Sequence, residues 1–295
     1  MNLILFKRSE VSKDGKSIKL SDKDPRTKHI LGHLRKVDGD SVTIGIISGG
    51  RGKATVRTGN VDGKWLEFDN SSTTSLLKEE QDDSGSNEIA LVLSLPFPKR
   101  LKTLWPQISS MGVTRIYIIR GALSDPNYCK TSAITPEVYR PLIEEGMSQG
   151  CHTKEVIVDV EVGEAVSRVV LEKLGLFKTA EEWSSNSEAA VFLDCGDENI
   201  EPLPCREVIV DKFSQRPDGT SKRVFLAIGS ERGWTESEAK LFHEAGYESA
   251  SLGRSILRVD TAVIAGLGIV SATLDEFTTQ DGTPKDISRK RKQDV

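Results

Sequence analysis

At 295 residues the chain exceeds one average domain, so two domains are expected. Hydrophobic residues make up 37% and charged residues 28%, the balance of a globular protein with a sizeable core, and no apolar run approaches the ~18 residues of a membrane helix. Cys129, Cys151, Cys195 and Cys205 form no CxxC pair and the histidines do not cluster with them, which argues against a disulfide framework and predicts no metal.

The opening MNLILFKRSE reads as a first strand, Asn2 to Phe6, and is too briefly apolar for a secretory leader. Further β-like runs follow at Ser17 to Leu20, Val42 to Ile47, Ala54 to Arg57 and Trp65 to Phe68, with a short helix at Thr27 to Arg35. Turn chemistry separates them at Lys13 to Lys16, Asp38 to Asp40 and Ser48 to Gly52. Short strands at this spacing predict a small β-barrel over residues 1–70. The Gly49-Gly50-Arg51-Gly52-Lys53 cluster lacks Walker spacing, so it reads as a hairpin turn. Net charge is −4, yet Met1 to Arg57 holds 13 Lys/Arg against 6 Asp/Glu, a local +7 that leaves −11 for the remainder. Such asymmetry fits a module that touches phosphates, and a merely solvated basic face is the competing reading.

Residues 71–88 are polar and acidic without apolar period, which reads as a linker. From Ile89 strands alternate with helices: Ile89 to Leu95, a helix from Lys99 to Met111 interrupted by Pro106, and Ile116 to Ile119. Val156 to Val160, a helix from Gly163 to Leu174, and strands at Val191 to Leu193, Val208 to Val210 and Val224 to Ile228 follow. Lys178 to Glu188 and Phe213 to Thr220 read as exposed loops. Thr235-Glu236-Ser237-Glu238 has capping-box spacing and opens a helix ending at Gly246. The alternation predicts an α/β domain over 89–295, a parallel sheet covered on both faces. Thr261 to Leu274 is apolar nearly all round, a helix to be buried in the core or against a second subunit.

Two loops carry the chemical signal. FLAIG-SERGW-TESEA and ASLGRSILRVD each follow a strand, where open α/β sheets bind ligands. Gly229 and Gly233 let backbone approach a ligand closely.

FLAIGSERGWTESEA followed by ASLGRSILRVDTAVIAGLG resembles the bacterial 16S ribosomal RNA uridine-N3 methyltransferase family, members of the SPOUT knotted methyltransferases, whose usual patterns are GPEGGF and LGxRILRxETA. The Lys28 to Asp40 segment is similar to that family's HHL-x-VLR-x-x-x-GD. Leu95-Pro96, Lys99 and Leu104 to Tyr117, with Met111-Gly112-Val113, look like its first catalytic βα unit. Ser230 departs from the usual proline, Arg232 from the first paired glycine, Asp260 from glutamate and His152 from arginine.

The resemblance implies a SPOUT-type knotted parallel sheet behind a PUA-like barrel, with S-adenosyl-L-methionine held bent in a trefoil knot. Leu95, Pro96, Ile228, Gly229, Glu231, Gly233, Leu252, Gly253, Ser255, Ile256 and Leu257 are the expected cofactor residues. Methylating uridine N3 requires a base or a field for the developing anion; Arg258, then Arg254, are the candidates to stabilise it, and Asp260 either orients an arginine or acts as the base. Arg8, Lys28, Arg35, Lys36, Arg51 and Lys53 are expected on RNA phosphates. Ribosomal RNA or the small ribosomal subunit is the expected partner, and relatives pair through the 261–274 region, so a homodimer is expected. No membrane association is expected, and the location is intracellular, the cytoplasm favoured with an organelle open. A catalytically silent RNA-binding or ribosome-assembly protein, or a methyltransferase acting on another RNA base, is the alternative.

Overall fold

A computed structural model describes residues 3–59, 63–77, 87–194, 202–214 and 221–277. The chain divides into one compact unit of Met1–Asp82 with Met147–Glu155, and a second of Asp83–Gly146 with Val156–Val295.

The first unit contains β1 (Ile4–Phe6), β2 (Ser17–Leu20), α1 (Pro25–Lys28), β3 (Ser41–Ile46), β4 (Arg51–Gly59), β5 (Gly63–Phe68) and α2 (Asn70–Leu77). Its strands form one sheet in the order β1-β3-β4-β5-β2, antiparallel except at β1–β3. An isolated antiparallel bridge pairs Val11 with Ile18 of the edge strand β2. Alternation puts Ala54, Val56, Leu66 and Phe68 inside with Ile18, Ile30, Ile44 and Leu76. Gly49-Gly50 is indeed the β3–β4 hairpin: Gly49 N donates to the Ile46 carbonyl at 2.8 Å and Ile46 N to Gly50 at 3.1 Å. The expected helix from Thr27 to Arg35 is α1 followed by a single π-turn, His29–His33, ending at Arg35 with φ 51°. Residues 70–77, polar in sequence, form α2 because Leu76 has a core to enter; residues 78–86 lie outside the described residues, as do Asn2 and Cys195.

Arg26 ties this unit together, and composition alone gave no hint of it. Its guanidinium lies 4.3 Å from the Phe6 ring centroid, bonds the Leu5 carbonyl at 3.0 Å, and pairs with Glu10 at 2.5 Å and Asp24 at 2.7 Å. Hydrogen bonding to Arg26 holds the Asp24 carboxyl below its ordinary value. At Glu10 burial pulls upward, but the bonds from Arg26 and the Lys7 amide win and the value falls. Carboxyls depressed by folding stabilise fully above their unfolded values, about 3.9 and 4.3, and lose that contribution as pH drops through the folded ones. Arg26→Ala is therefore expected to lower the melting temperature more at pH 7 than at pH 3, as read by paired thermal melts.

The second unit contains β6 (Glu88–Ser94), α3 (Pro98–Ser110), β7 (Arg115–Arg120), α4 (Pro136–Gly150), β8 (Ile157–Ala165), α5 (Arg168–Lys173), α6 (Ala180–Ser185) and β9 (Glu188–Leu193). It continues through α7 (Cys205–Ser214), β10 (Arg223–Ile228), α8 (Glu236–Glu244), β11 (Glu248–Ala250) and α9 (Val259–Glu276). The last turn of α4, from Met147, groups with the first unit. The six strands are all parallel, in the order β11-β9-β10-β6-β7-β8. Both faces are covered, which explains the near-continuous apolar strands. On one face Phe225, Ala227, Phe192 and Tyr117 meet Trp183, Phe242 and Tyr247, with Trp183 and Phe225 rings 4.8 Å apart and Phe242 and Tyr247 rings 5.1 Å apart. On the other face α9 lies on Leu226 and Ile228: a β-carbon on Gly266 would meet their side chains at 3.1 and 3.8 Å.

Four sequence expectations need correction here. Val208 to Val210 is helical, part of α7; the β-branched V-I-V run reads locally as strand, but Cys205, Val208, Ile209 and Phe213 are buried at helical spacing. Gly163 to Leu174 opens as the end of β8 and becomes helix only after the Ser167 cap. Lys178 to Glu188 is not all exposed loop: it contains α6, capped by a Thr179–Glu182 box, and Trp183 anchors it in the core. The Phe213 to Thr220 loop begins inside α7, and residues 215–220 lie outside the described residues. Pro106 does not end α3, which runs on to Ser110.

Candidate active site at the carboxyl edge of the sheet

A parallel sheet sends all its carboxyl ends to one edge, so the loops after β6, β7, β10 and β11 gather there. A serine relay fixes the first two. Gly121 N donates to Ser94 Oγ at 3.1 Å, Ser94 Oγ lies 3.1 Å from Ser124 Oγ, and Ser124 Oγ donates to the Leu95 carbonyl at 3.0 Å. Leu95 and Pro96 are buried at this junction.

The β10 loop is a tight turn. Gly233 N donates to the Ser230 carbonyl at 2.9 Å, and a β-carbon on Gly229 would lie 2.9 Å from the Gly233 carbonyl carbon. Gly233 itself has φ +71° with open space beside it. Glu231 accepts from Phe97 N at 3.0 Å and pairs with Arg100 at 3.1 Å, binding this loop to the start of α3. The Thr235–Glu238 capping box is formed, and Glu238 also accepts from Ala122 N at 2.7 Å. One buried carboxylate thus joins the β7 and β10 loops. The capping-box spacing revealed Glu238 as a cap; its reach to Ala122 and the serine relay had no signal in the sequence beyond polar residues ending apolar strands.

After β11, Ser251 N donates to Leu203 and its carbonyl accepts from Cys205 N, both at 2.9 Å. Gly253 turns at φ +119°, again facing open space. Leu252 and Leu257 are half-buried, Gly253, Arg254 and Ser255 exposed, and Ile256 stands 86% exposed. Arg258 is the residue before α9; its guanidinium pairs with Asp260 Oδ2 at 3.2 Å, and the side chain is 66% exposed. The pair is local to the helix start and does not tie the loop to the sheet.

Two clefts open at this edge. One, of about 720 Å³, takes Leu252, Gly253 and Arg254 with Leu203, Cys205 and Ala272; burial pushes the Cys205 thiol up to about 12, so it stays protonated. The other, of about 660 Å³, takes Glu231. Neither includes Leu95, Pro96, Ile228, Gly229, Gly233, Ser255, Ile256 or Leu257. The sequence-predicted cofactor residues share one sheet edge, with Leu252 and Gly253 on the first cleft and Glu231 on the second. The loop after β9, the strand between β10 and β11, runs through residues 195–201, outside the described residues.

Polar bookkeeping singles out the same loops. Among the described residues, four buried side-chain polar atoms lack a hydrogen-bond partner, and three of them lie here: Ser230 Oγ, Trp234 Nε1 and Asp260 Oδ1. Buried polar groups are nearly always paired, so unpaired ones gathered at one edge fit a bound group that satisfies them. Gly233 and Gly253 add backbone exposed to open space, the way an adenine edge is read without charged side chains. The residues present fit a nucleoside-type cofactor.

In the first unit, Arg8 donates to the Leu77 carbonyl at 2.9 Å, at the end of α2, and Arg51 to the Cys151 carbonyl at 3.2 Å. Both therefore have structural work. Lys28, Arg35 and Lys53 are exposed and Lys36 half-buried.

The profile of the RNA methyltransferase domain family matches residues 83–271. Ribosomal RNA small subunit methyltransferase E of Treponema pallidum (strain Nichols) is 27% identical over 272 residues, 92% of this chain and 91% of that protein. The crystal structure of a ribosomal RNA small subunit methyltransferase E from Neisseria gonorrhoeae bound to S-adenosyl methionine superposes with a TM-score of 0.61 at 17% identity, covering 92% of this chain and 97% of that one. With more than half of its length matched, and the sheet edge built as described, the chain belongs to the RNA methyltransferase domain family.

Proposed function

We propose that this chain is an S-adenosylmethionine-dependent methyltransferase of small-subunit ribosomal RNA, acting on N3 of a uridine. The observation that carries it is the set of unpartnered buried polar atoms after β10 and in the first turn of α9, on loops whose glycines are open to a ligand. A 27% identical relative named as a ribosomal RNA small subunit methyltransferase supports the substrate class, and a structure of the same fold named as bound to S-adenosyl methionine supports the cofactor.

The cofactor would be held by the loops after β6, β10 and β11, drawn through a trefoil knot, and supplies a sulfonium methyl group for displacement by a nucleophilic nitrogen. The chain's own residues address the nitrogen. Uracil N3 gives its proton to solvent water and leaves negative charge on the flanking carbonyl oxygens, which Arg258 stabilises from the start of α9, where helix amides also favour an anion. Of the two roles open to Asp260, the 3.2 Å pair favours positioning of Arg258. The base is reached outside any stack, as an unpaired or flipped nucleotide. Incubation with labelled cofactor and a small-subunit RNA fragment tests the reading, with nucleoside mass spectrometry identifying the product. A catalytically silent assembly protein would bind S-adenosylmethionine weakly or not at all.

The first unit, residues 1–70 together with α2, serves as the RNA-docking domain, and the unit that opens with β6 at Glu88 serves as the methyltransferase domain; the expected linker of 71–88 gives up 71–77 to α2 and Glu88 to β6. Replacing Arg35, Lys36 and Lys53 by Ala is expected to weaken RNA binding and flatten its salt dependence by up to about 0.9 per lost phosphate contact, with cofactor affinity unchanged in calorimetry.

The chain works as a homodimer through α9. Along that helix Ala262, Ala265, Gly268 and Ile269 are only half-buried and Ala272 is exposed, an apolar stripe suited to a symmetric partner. Light scattering at micromolar concentration is expected to give twice the 32.4 kDa chain mass; a monomer would count against it. The place of action is the cytoplasm, with an organelle as the second possibility.

A further inference from the structure

The 660 Å³ cleft between the β6, β7 and β10 loops shares Ser124, Ser230 and Glu231 with the site described above, but its aromatic wall and Arg232 have no part in that reading. Phe97, 44% exposed, and the half-buried Tyr128 meet edge-to-face there at 5.7 Å. Ser230 lines it too; the residue is 8% exposed and its Oγ has no hydrogen-bond partner. Arg232, exposed at the mouth, makes no ion pair among the described residues. Arg232 thus supplies the cleft with a cation that is not engaged elsewhere among the described residues.

We propose that this cleft is a second nucleotide subsite, which takes an unpaired nucleotide of the substrate RNA beside the target. The inference rests on the methyltransferase reading above. An exposed aromatic pair gives a stacking surface that any base can use, and such stacking is the usual grip on single-stranded RNA. Arg232 takes the phosphate. The acidic groups fit this placement: Glu231 is neutralised by Arg100, and Asp125 belongs to the β7 loop across β6 from Arg232, so the phosphate stays on the Arg232 side. The cleft lies within the ~300–1,000 Å³ range of small-ligand sites, room for one nucleotide.

The test uses the full-length protein with Phe97→Ala and Arg232→Ala. Each is expected to raise the KM for a small-subunit RNA fragment about tenfold, the size of one lost base stack or phosphate contact, with kcat and S-adenosylmethionine Kd near wild type. A single-stranded oligoribonucleotide carrying 4-thiouridine is expected to crosslink to Tyr128 or Phe97 on irradiation, and less so in Arg232→Ala. Wild-type KM in both variants, or crosslinks confined to other surfaces, would overturn the subsite while leaving the enzyme intact. If the wild-type protein neither binds S-adenosylmethionine nor methylates RNA, the functional reading fails first; oligonucleotide crosslinking still decides the cleft.

Discussion

Arg258→Ala is expected to lower single-turnover methyl transfer by about 100- to 1,000-fold while the melting temperature and cofactor affinity stay close to wild type. Structure separates these readouts. Arg258 is mostly exposed, its partner is Asp260 two residues away, and an exposed pair of this kind contributes at most about 1 kcal/mol to stability. Its loss should be felt where charge develops on uracil, which lowers the rate without a matching loss of ground-state binding. Asp260→Asn makes the companion measurement. It leaves the arginine in place but loosens its aim, so an intermediate loss of about 10- to 100-fold is expected, with the pH–rate profile unmoved. A profile whose acidic limb vanished in Asp260→Asn would instead assign the base to Asp260. If Arg258→Ala turned over normally, Arg258 would have no place in the chemistry.

How far the sequence revealed this site follows from the physics of each part. The β10 and β11 loops were legible because glycines, a capping box and an apolar strand before each are local signals, and the structure keeps all of them: Gly233 and Gly253 at positive φ, Thr235 and Glu238 reciprocally bonded. The parallel sheet was legible because strands buried on both faces carry long apolar runs. What stayed hidden depends on meetings between distant residues. Glu238 reaches Ala122 across 116 positions, Glu231 reaches Phe97 across 134, and Ser124 finds Leu95 only once β6 and β7 pair. Arg26 likewise looks like one more surface cation until Phe6, Glu10 and Asp24 close around it. The V-I-V run of α7 misled for the opposite reason: its local strand preference is overruled by burial at helical spacing. The phosphate assignments divide similarly, since Arg8 and Arg51 hold backbone carbonyls that composition cannot show.

The tight β10 loop makes the sharpest structural demand. Gly229→Ala is expected to raise the S-adenosylmethionine Kd at least ~10-fold and to destabilise the fold by about 1–3 kcal/mol, the ordinary cost of forcing a methyl into packed surroundings. The added carbon would stand 2.9 Å from the Gly233 carbonyl carbon and 3.0 Å from its Cα, and these are backbone atoms that cannot swing aside. Either the Ser230–Gly233 bridge opens or the whole turn shifts, and Glu231 moves with it, releasing Phe97 N and Arg100. The strain thus passes from one glycine to the loop after β6, so the cofactor edge loosens on both sides. Gly163→Ala is the control, because a β-carbon there meets only Glu161 Oε1 at 3.7 Å, an ordinary contact. Calorimetry and urea melts on both variants decide it. A Gly229→Ala protein with wild-type affinity and stability would mean that the turn relaxes freely, and the close approach of Gly229 to Gly233 would have no bearing on how the cofactor is held.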